Sequence, residues 1–205
     1  MIINDPAKIE QRSMELIEKE LTVPISEEYK DIVKRVIHCT ADFEYAETMT
    51  FSEGAVESAL QALQNGCDIV TDTQMAAAGI NKKAAAALGC SIHCYMSDAD
   101  VAQTALKNGS TRAVASMDKA AALDKPTIFA IGNAPTALLR LRELIDAGAL
   151  KPELIIGVPV GFVNILEAKE AILNADVPFI VAKGRKGGSN VAAAIVNALM
   201  YRLTR

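Results

Sequence analysis

The chain has 205 residues, of which 51% are hydrophobic and 22% charged, and its formal net charge is -4. This length suits a single domain, here residues 1–205, with a sizeable core, and the composition excludes a disordered chain. The acidic balance excludes a general nucleic-acid binder, which needs a broad basic face to displace counterions.

No run of about 18 consecutive apolar residues is present, so no membrane span is expected. Met1 to Lys8 lacks the basic start and apolar core of a signal peptide, and a cytoplasmic protein is expected. Cys39, Cys67, Cys90 and Cys94 form no C-x-x-C pair, and the only histidines are His38 and His93. A zinc set is poorly supplied, no metal is expected, and the thiols read as reduced and packed.

The first third of the chain reads as helices. Asp5 before Pro6 is a cap followed by proline at the first helical position, and Ile9, Met14, Leu16 and Ile17 give an apolar stripe to about Glu20. Ser26 is expected to cap a second helix carrying Ile32, Val33, Val36 and Ile37, and Ser52 a third that ends near Gly66. From Cys67 onward short apolar runs alternate with helical stretches. Strands are predicted at Asp68 to Thr71, Ser91 to Tyr95, Thr127 to Ile131, Leu154 to Val158 and Phe179 to Ala182. Helices are predicted at Asn81 to Leu88, Asp98 to Lys107, Arg112 to Leu123, Pro135 to Ala147, Val163 to Asn174 and Ser189 to Leu203. This alternation implies a mainly parallel sheet with helices on both faces, and ligands bind such sheets beyond the carboxyl ends of the strands.

The segments that follow the strands carry the chemistry. Lys183, Gly184, Arg185, Lys186, Gly187 and Gly188 lead into Ser189, which opens a helix. Unpaired N–H groups at a helix start, glycines that let the backbone close round a ligand, and an arginine fork together suit an anion. The spacing is neither a P-loop nor a dinucleotide fingerprint. In Gly132-Asn133-Ala134-Pro135-Thr136, Asn133 and Thr136 are candidate hydrogen-bond donors to a ligand, and the apolar Gly157 to Val163 segment suits the wall of a site for a large flat molecule. Arg112 near a helix start opposes the local dipole, which hints at a ligand or partner. His38, in the last turn of its helix, reads equally as an acid–base group or as a cap on the helix dipole. On these residues alone a phosphate- or nucleotide-binding protein without catalysis, or a structural subunit, stays open.

Five stretches in order resemble the precorrin-8 methylmutase family of the corrin (vitamin B12) pathway: Glu10-Gln11-Arg12-Ser13, Arg35-Val36-Ile37-His38, Gly132 to Leu138, Gly157 to Val163, and Gly184 to Ser189. The resemblance implies a three-layer flavodoxin-like fold with five parallel strands in the order 2-1-3-4-5 and added N-terminal helices. It implies a homodimer with sites near the interface, a corrinoid substrate and no cofactor. The implied chemistry moves a methyl group from ring carbon 11 to ring carbon 12 of precorrin-8 or cobalt-precorrin-8, with His38 as the acid–base residue. Ser13, Arg12, Arg112, Asn133, Thr136, Arg185, Gly188 and Ser189 are then the expected substrate contacts. Lys186 departs from relatives that carry leucine there.

Overall fold

A computed structural model describes residues 4–205, so the beginning of the Met1 to Lys8 stretch lies outside it. In chain order the elements are α1 (Pro6–Glu20), α2 (Lys30–Thr40), α3 (Tyr45–Thr48), β1 (Met49–Phe51), α4 (Ala55–Gln64), β2 (Asp68–Thr71), α5 (Gln74–Gly79), α6 (Lys82–Ala87) and β3 (Ser91–His93). There follow α7 (Ala99–Asn108), α8 (Arg112–Ala120), β4 (Thr127–Ile131), α9 (Pro135–Asp146), β5 (Leu154–Gly157), α10 (Ile165–Leu173), β6 (Phe179–Ala182) and α11 (Ser189–Thr204). Among the described residues no helix is long and apolar enough to cross a membrane.

Local chemistry accounts for the ends of several elements. The Asp5 carboxylate accepts the N–H groups of Ala7 and Lys8 at 3.0 and 3.3 Å, with Pro6 at the first helical position of α1. Two expected caps are corrected. Tyr29 occupies the cap position of α2, and Ser26 sits in the preceding turn. The Ser52 hydroxyl accepts the Phe179 N–H at 2.9 Å, so it satisfies the sheet edge, and Gly54 in the left-handed region precedes α4.

The sheet has six strands in the order β1-β6-β5-β4-β2-β3, which corrects the expected five. The neighbours from β3 to β6 pair in parallel, and β1 lies antiparallel to β6 with Thr50 opposite Val181. The sheet is therefore mixed. Strand residues alternate between faces. Ile69, Ile128, Ala130, Ile156, Ile180 and Ala182 share one core with α2, α4 and α11. Val70, Phe129, Ile131, Ile155 and Val181 share the other with α8, α9 and α10. Two cores on one sheet make three layers, and they leave the loops after the strands gathered along one edge.

Candidate active site

The strand order reverses between β2 and β4, where a crevice is expected in a sheet of this kind. A buried carboxylate closes it. Asp72, directly after β2 and fully buried, accepts the backbone N–H groups of Gly132, Asn133 and Ala134 at 2.9, 2.8 and 2.6 Å. Burial raises the Asp72 carboxyl above the ordinary carboxylate value, against the three N–H donors, which pull it down. The Asn133 side chain stays exposed, while the Thr136 hydroxyl lies 3.1 Å from that of Thr111, the residue that caps α8 just before Arg112. Thr136 and Arg112 are thus brought to one place.

The glycine segment after β6 packs on its neighbours by backbone contact. A side chain at Gly187 would put its Cβ 2.1 Å from the Val158 carbonyl oxygen, and one at Gly132 would put it 2.7 Å from the Ser189 Cα. Only glycine fits at either position. The Gly188 N–H donates to the Val158 carbonyl at 2.9 Å, and the Gly161 N–H donates to the Arg185 carbonyl at 3.2 Å. Ser189 is the first residue of α11; its hydroxyl is buried and 2.8 Å from the Thr73 hydroxyl. Beneath the segment, the buried Lys169 ammonium donates to the carbonyls of Gly184 and Lys186, each at 2.8 Å. Desolvation pulls Lys169 down to about 8.

Lys186 is tied elsewhere. Its ammonium lies 2.6 Å from Asp42 and 2.7 Å from Glu44, two carboxylates that hold it above the usual lysine range. Asp42 and Glu44 follow α2, and the Cys39 sulfur approaches the Asn190 carbonyl at 3.9 Å. These contacts tie the end of α2 to the start of α11 and the stretch after α2 to the glycine segment; His38 is exposed in the last turn of α2. Arg185 is exposed, with its guanidinium 5.6 Å from the centre of the Phe162 ring. Phe162 is 82% exposed, Val163 76% and Met75 71%, so the rim presents an uncovered apolar surface next to a cation. Among the described residues Arg112 and Arg185 make no ion pair.

Arg12 and Ser13 are not brought to this rim. Arg12 pairs with Glu15 at 3.0 Å, and the Ser13 hydroxyl donates to the Ile9 carbonyl at 2.8 Å. Their neighbour Glu10 binds Arg35 at 2.7 Å and Arg205 at 2.8 Å, which ties α1 to the far end of α11. A 16-residue helix such as α11 is roughly 24 Å long, so its far end is well removed from Ser189. Among the described residues no cluster of His, Cys, Asp and Glu is arranged to hold a metal; His93 instead lies 3.0 Å from Asp68.

Sequence reasoning missed Asp72 and Lys169. The signals were present: a carboxylate at the end of a wholly buried strand, and a lysine four residues after Ile165 and three before Ile172, on the buried stripe of α10.

A mainly parallel sheet with an exposed apolar, cation-bearing rim at its carboxyl edge defines an α/β protein of the kind that binds ligands beyond the ends of its strands. The sequence model of the precorrin-8X methylmutase family (CbiC) matches residues 8–202. The cobalt-precorrin-8 methylmutase of Leptospira interrogans is 42% identical, over 97% of this chain and 94% of its own length. The Salmonella typhimurium enzyme of the same name is 48% identical, over 85% of this chain and 82% of its own. The crystal structure of precorrin-8x methyl mutase from Thermus thermophilus superposes with a TM-score of 0.88 at 40% identity, over 96% of this chain and 97% of that one. The chain belongs to the precorrin-8X methylmutase family, and it is an isomerase.

Proposed function

We propose that this isomerase moves a methyl group from ring carbon 11 to ring carbon 12 of cobalt-precorrin-8, giving cobyrinate in cobalamin biosynthesis, with His38 as its acid–base residue. The relatives of Leptospira and Salmonella named above are cobalt-precorrin-8 methylmutases, which supports the cobalt-bearing substrate. An isomerisation adds and removes no atoms, so a histidine that lends a proton to a ring nitrogen must take it back. Protonation there drains electron density from the conjugated ring and favours migration. The observation that supports the assignment is that Lys186 ties Asp42 and Glu44, in the stretch just after the helix that ends with His38 in its last turn, to the glycine segment.

The carboxylate fringe of the ring is met by Arg185 and Arg112, with Asn133 and Thr136 at the rim and Gly188 and Ser189 shaping the segment. The exposed Phe162 and Val163 cover one face of the macrocycle. Arg12 and Ser13 reach the ring from α1 of a second copy in a homodimer; the distance of α1 from the rim within one chain supports this. We read residues 1–205 as one domain. The parallel strands form a flavodoxin-like set, on the support of their order β3-β2-β4-β5-β6, with β1 added at the edge.

His38→Ala is expected to cut turnover by about 10²–10⁴-fold, the usual range for a lost general acid–base group, while binding of hydrogenobyrinate is retained. Single-turnover kinetics beside a binding titration checks both. Full activity in the variant removes His38 from the chemistry.

A further inference from the structure

Lys169 is 2% exposed, and among the described residues its ammonium faces no carboxylate. Its partners are two carbonyl dipoles, those of Gly184 and Lys186, at 2.8 Å each. A lone buried cation is costly, and carbonyls compensate it less well than a carboxylate does. Its effect on the backbone offers a reason for its presence. In a trans peptide the C=O of one residue and the N–H of the next point in opposite directions, and the described residues contain no cis peptide bond. Drawing the carbonyls of Gly184 and Lys186 inward therefore turns the N–H groups of Arg185 and Gly187 outward. Neither N–H has an acceptor among the described residues, whereas the adjoining Gly188 N–H is spent on Val158. The segment has little room to relax, because Gly187 lies against the Val158 carbonyl and the Arg185 carbonyl is held by Gly161.

We infer that Lys169 is a positioning residue that builds an anion seat from the N–H groups of Arg185 and Gly187, with the Arg185 guanidinium beside it, for one carboxylate of the corrinoid. This rests on the reading of the chain as a corrinoid isomerase. Lys169 does not touch the ligand. It orients the donors before the ligand arrives and places a positive charge behind them, so the seat needs little reorganisation on binding. An empty pair of N–H groups two residues apart above a buried cation suits a carboxylate, which has two oxygens to share between them.

The test uses the full-length protein, hydrogenobyrinate as the binding probe and the natural turnover as the second readout. Lys169→Met is expected to weaken hydrogenobyrinate binding and raise KM by roughly tenfold, the scale of one charge-assisted hydrogen bond, with the loss falling on KM rather than kcat. A general loosening of the fold would instead lower the active fraction, and so kcat, at unchanged KM. Unchanged binding in a folded Lys169→Met protein overturns the seat and leaves the isomerase reading intact. A wild-type protein that neither binds hydrogenobyrinate nor isomerises its substrate overturns that reading, and the seat with it. Should Lys169→Met fail to fold, the wild type decides: the amide proton resonances of Arg185 and Gly187 are expected to move downfield on titration with hydrogenobyrinate, and resonances that stay put overturn the seat.

Discussion

Asp72 lies beneath the loop that follows β4 and takes the N–H groups of Gly132, Asn133 and Ala134; Lys169 lies beneath the loop that follows β6 and takes the carbonyls of Gly184 and Lys186. The two loops are both glycine-bearing, both lead into helices, and both are held from below by one buried charge. Their polarities are opposite. The anion uses up donors, so the carbonyls of Gly132 and Asn133 face away from it, while the cation uses up acceptors and leaves donors facing out. A carboxylate is therefore welcomed at one loop and repelled by the backbone of the other. A glycine-rich turn before a helix does not by itself make an anion site; the sign of the buried charge beneath it decides.

Removing the anion is the most severe way to break this comparison. Asp72→Ala leaves three N–H groups without acceptors at a fully buried position. Each buried donor left without an acceptor costs about 1–3 kcal/mol, so urea unfolding should show a loss of about 3 kcal/mol or more. A change below about 1 kcal/mol would mean that water replaces the carboxylate and that the β4 loop holds itself.

The cation is tested by pH. Desolvation lowers the Lys169 ammonium from 10.5 to about 8 in the folded protein. Between those values the unfolded chain binds the proton more tightly, so folding stability rises with pH across the window and falls as pH drops through it. The gain approaches about 3 kcal/mol over the window, because each tenfold difference in proton affinity between the folded and unfolded chain is worth about 1.4 kcal/mol. Urea midpoints taken at about pH 7 and about pH 10 should separate further for the wild type than for Lys169→Met, which has no proton to lose. Equal separation in the two proteins would show that Lys169 keeps an ordinary affinity for its proton, with water reaching it.

Most of the frame was readable from the chain, because β2, β4 and β6 are short apolar runs closed by turn residues and α1 opens on Asp5 and Pro6. What escaped reading depended on partners distant in sequence. The edge strand β1 is three residues long and owes its existence to β6, far along the chain. Ser52 looks like a cap and serves Phe179 instead. At the site, the glycine segment and His38 were visible as types at suggestive places, but the ties that bring the stretch after α2 to the segment, Lys186 to Asp42 and Glu44, are visible only in the fold. Asp72 escaped because a charged residue beside an apolar run is commonly a solvated end, and Lys169 because a lysine in line with Ile165 and Ile172 commonly carries its ammonium out to solvent. The fold shows which carbonyls and N–H groups meet them.

Ser189 tests how far ligand contact and loop support can be told apart. Its hydroxyl is buried and 2.8 Å from that of Thr73, which itself accepts the Ala76 N–H at 3.0 Å at the start of α5. That bond ties the loop after β6 to the loop after β2, across the crevice that Asp72 closes. If the hydroxyl is a tie, Ser189→Ala loses about 1 kcal/mol of stability, the net worth of one hydrogen bond, and hydrogenobyrinate affinity stays within about twofold of wild type. If it turns toward the ligand, the pattern inverts: stability holds, and affinity falls by about tenfold. Measuring both quantities on the one variant separates the cases, and the burial of the hydroxyl favours the first. In that outcome, recognition of the carboxylate at this loop falls to the backbone N–H groups and Arg185, and the loop's polarity, set by Lys169, becomes its specificity.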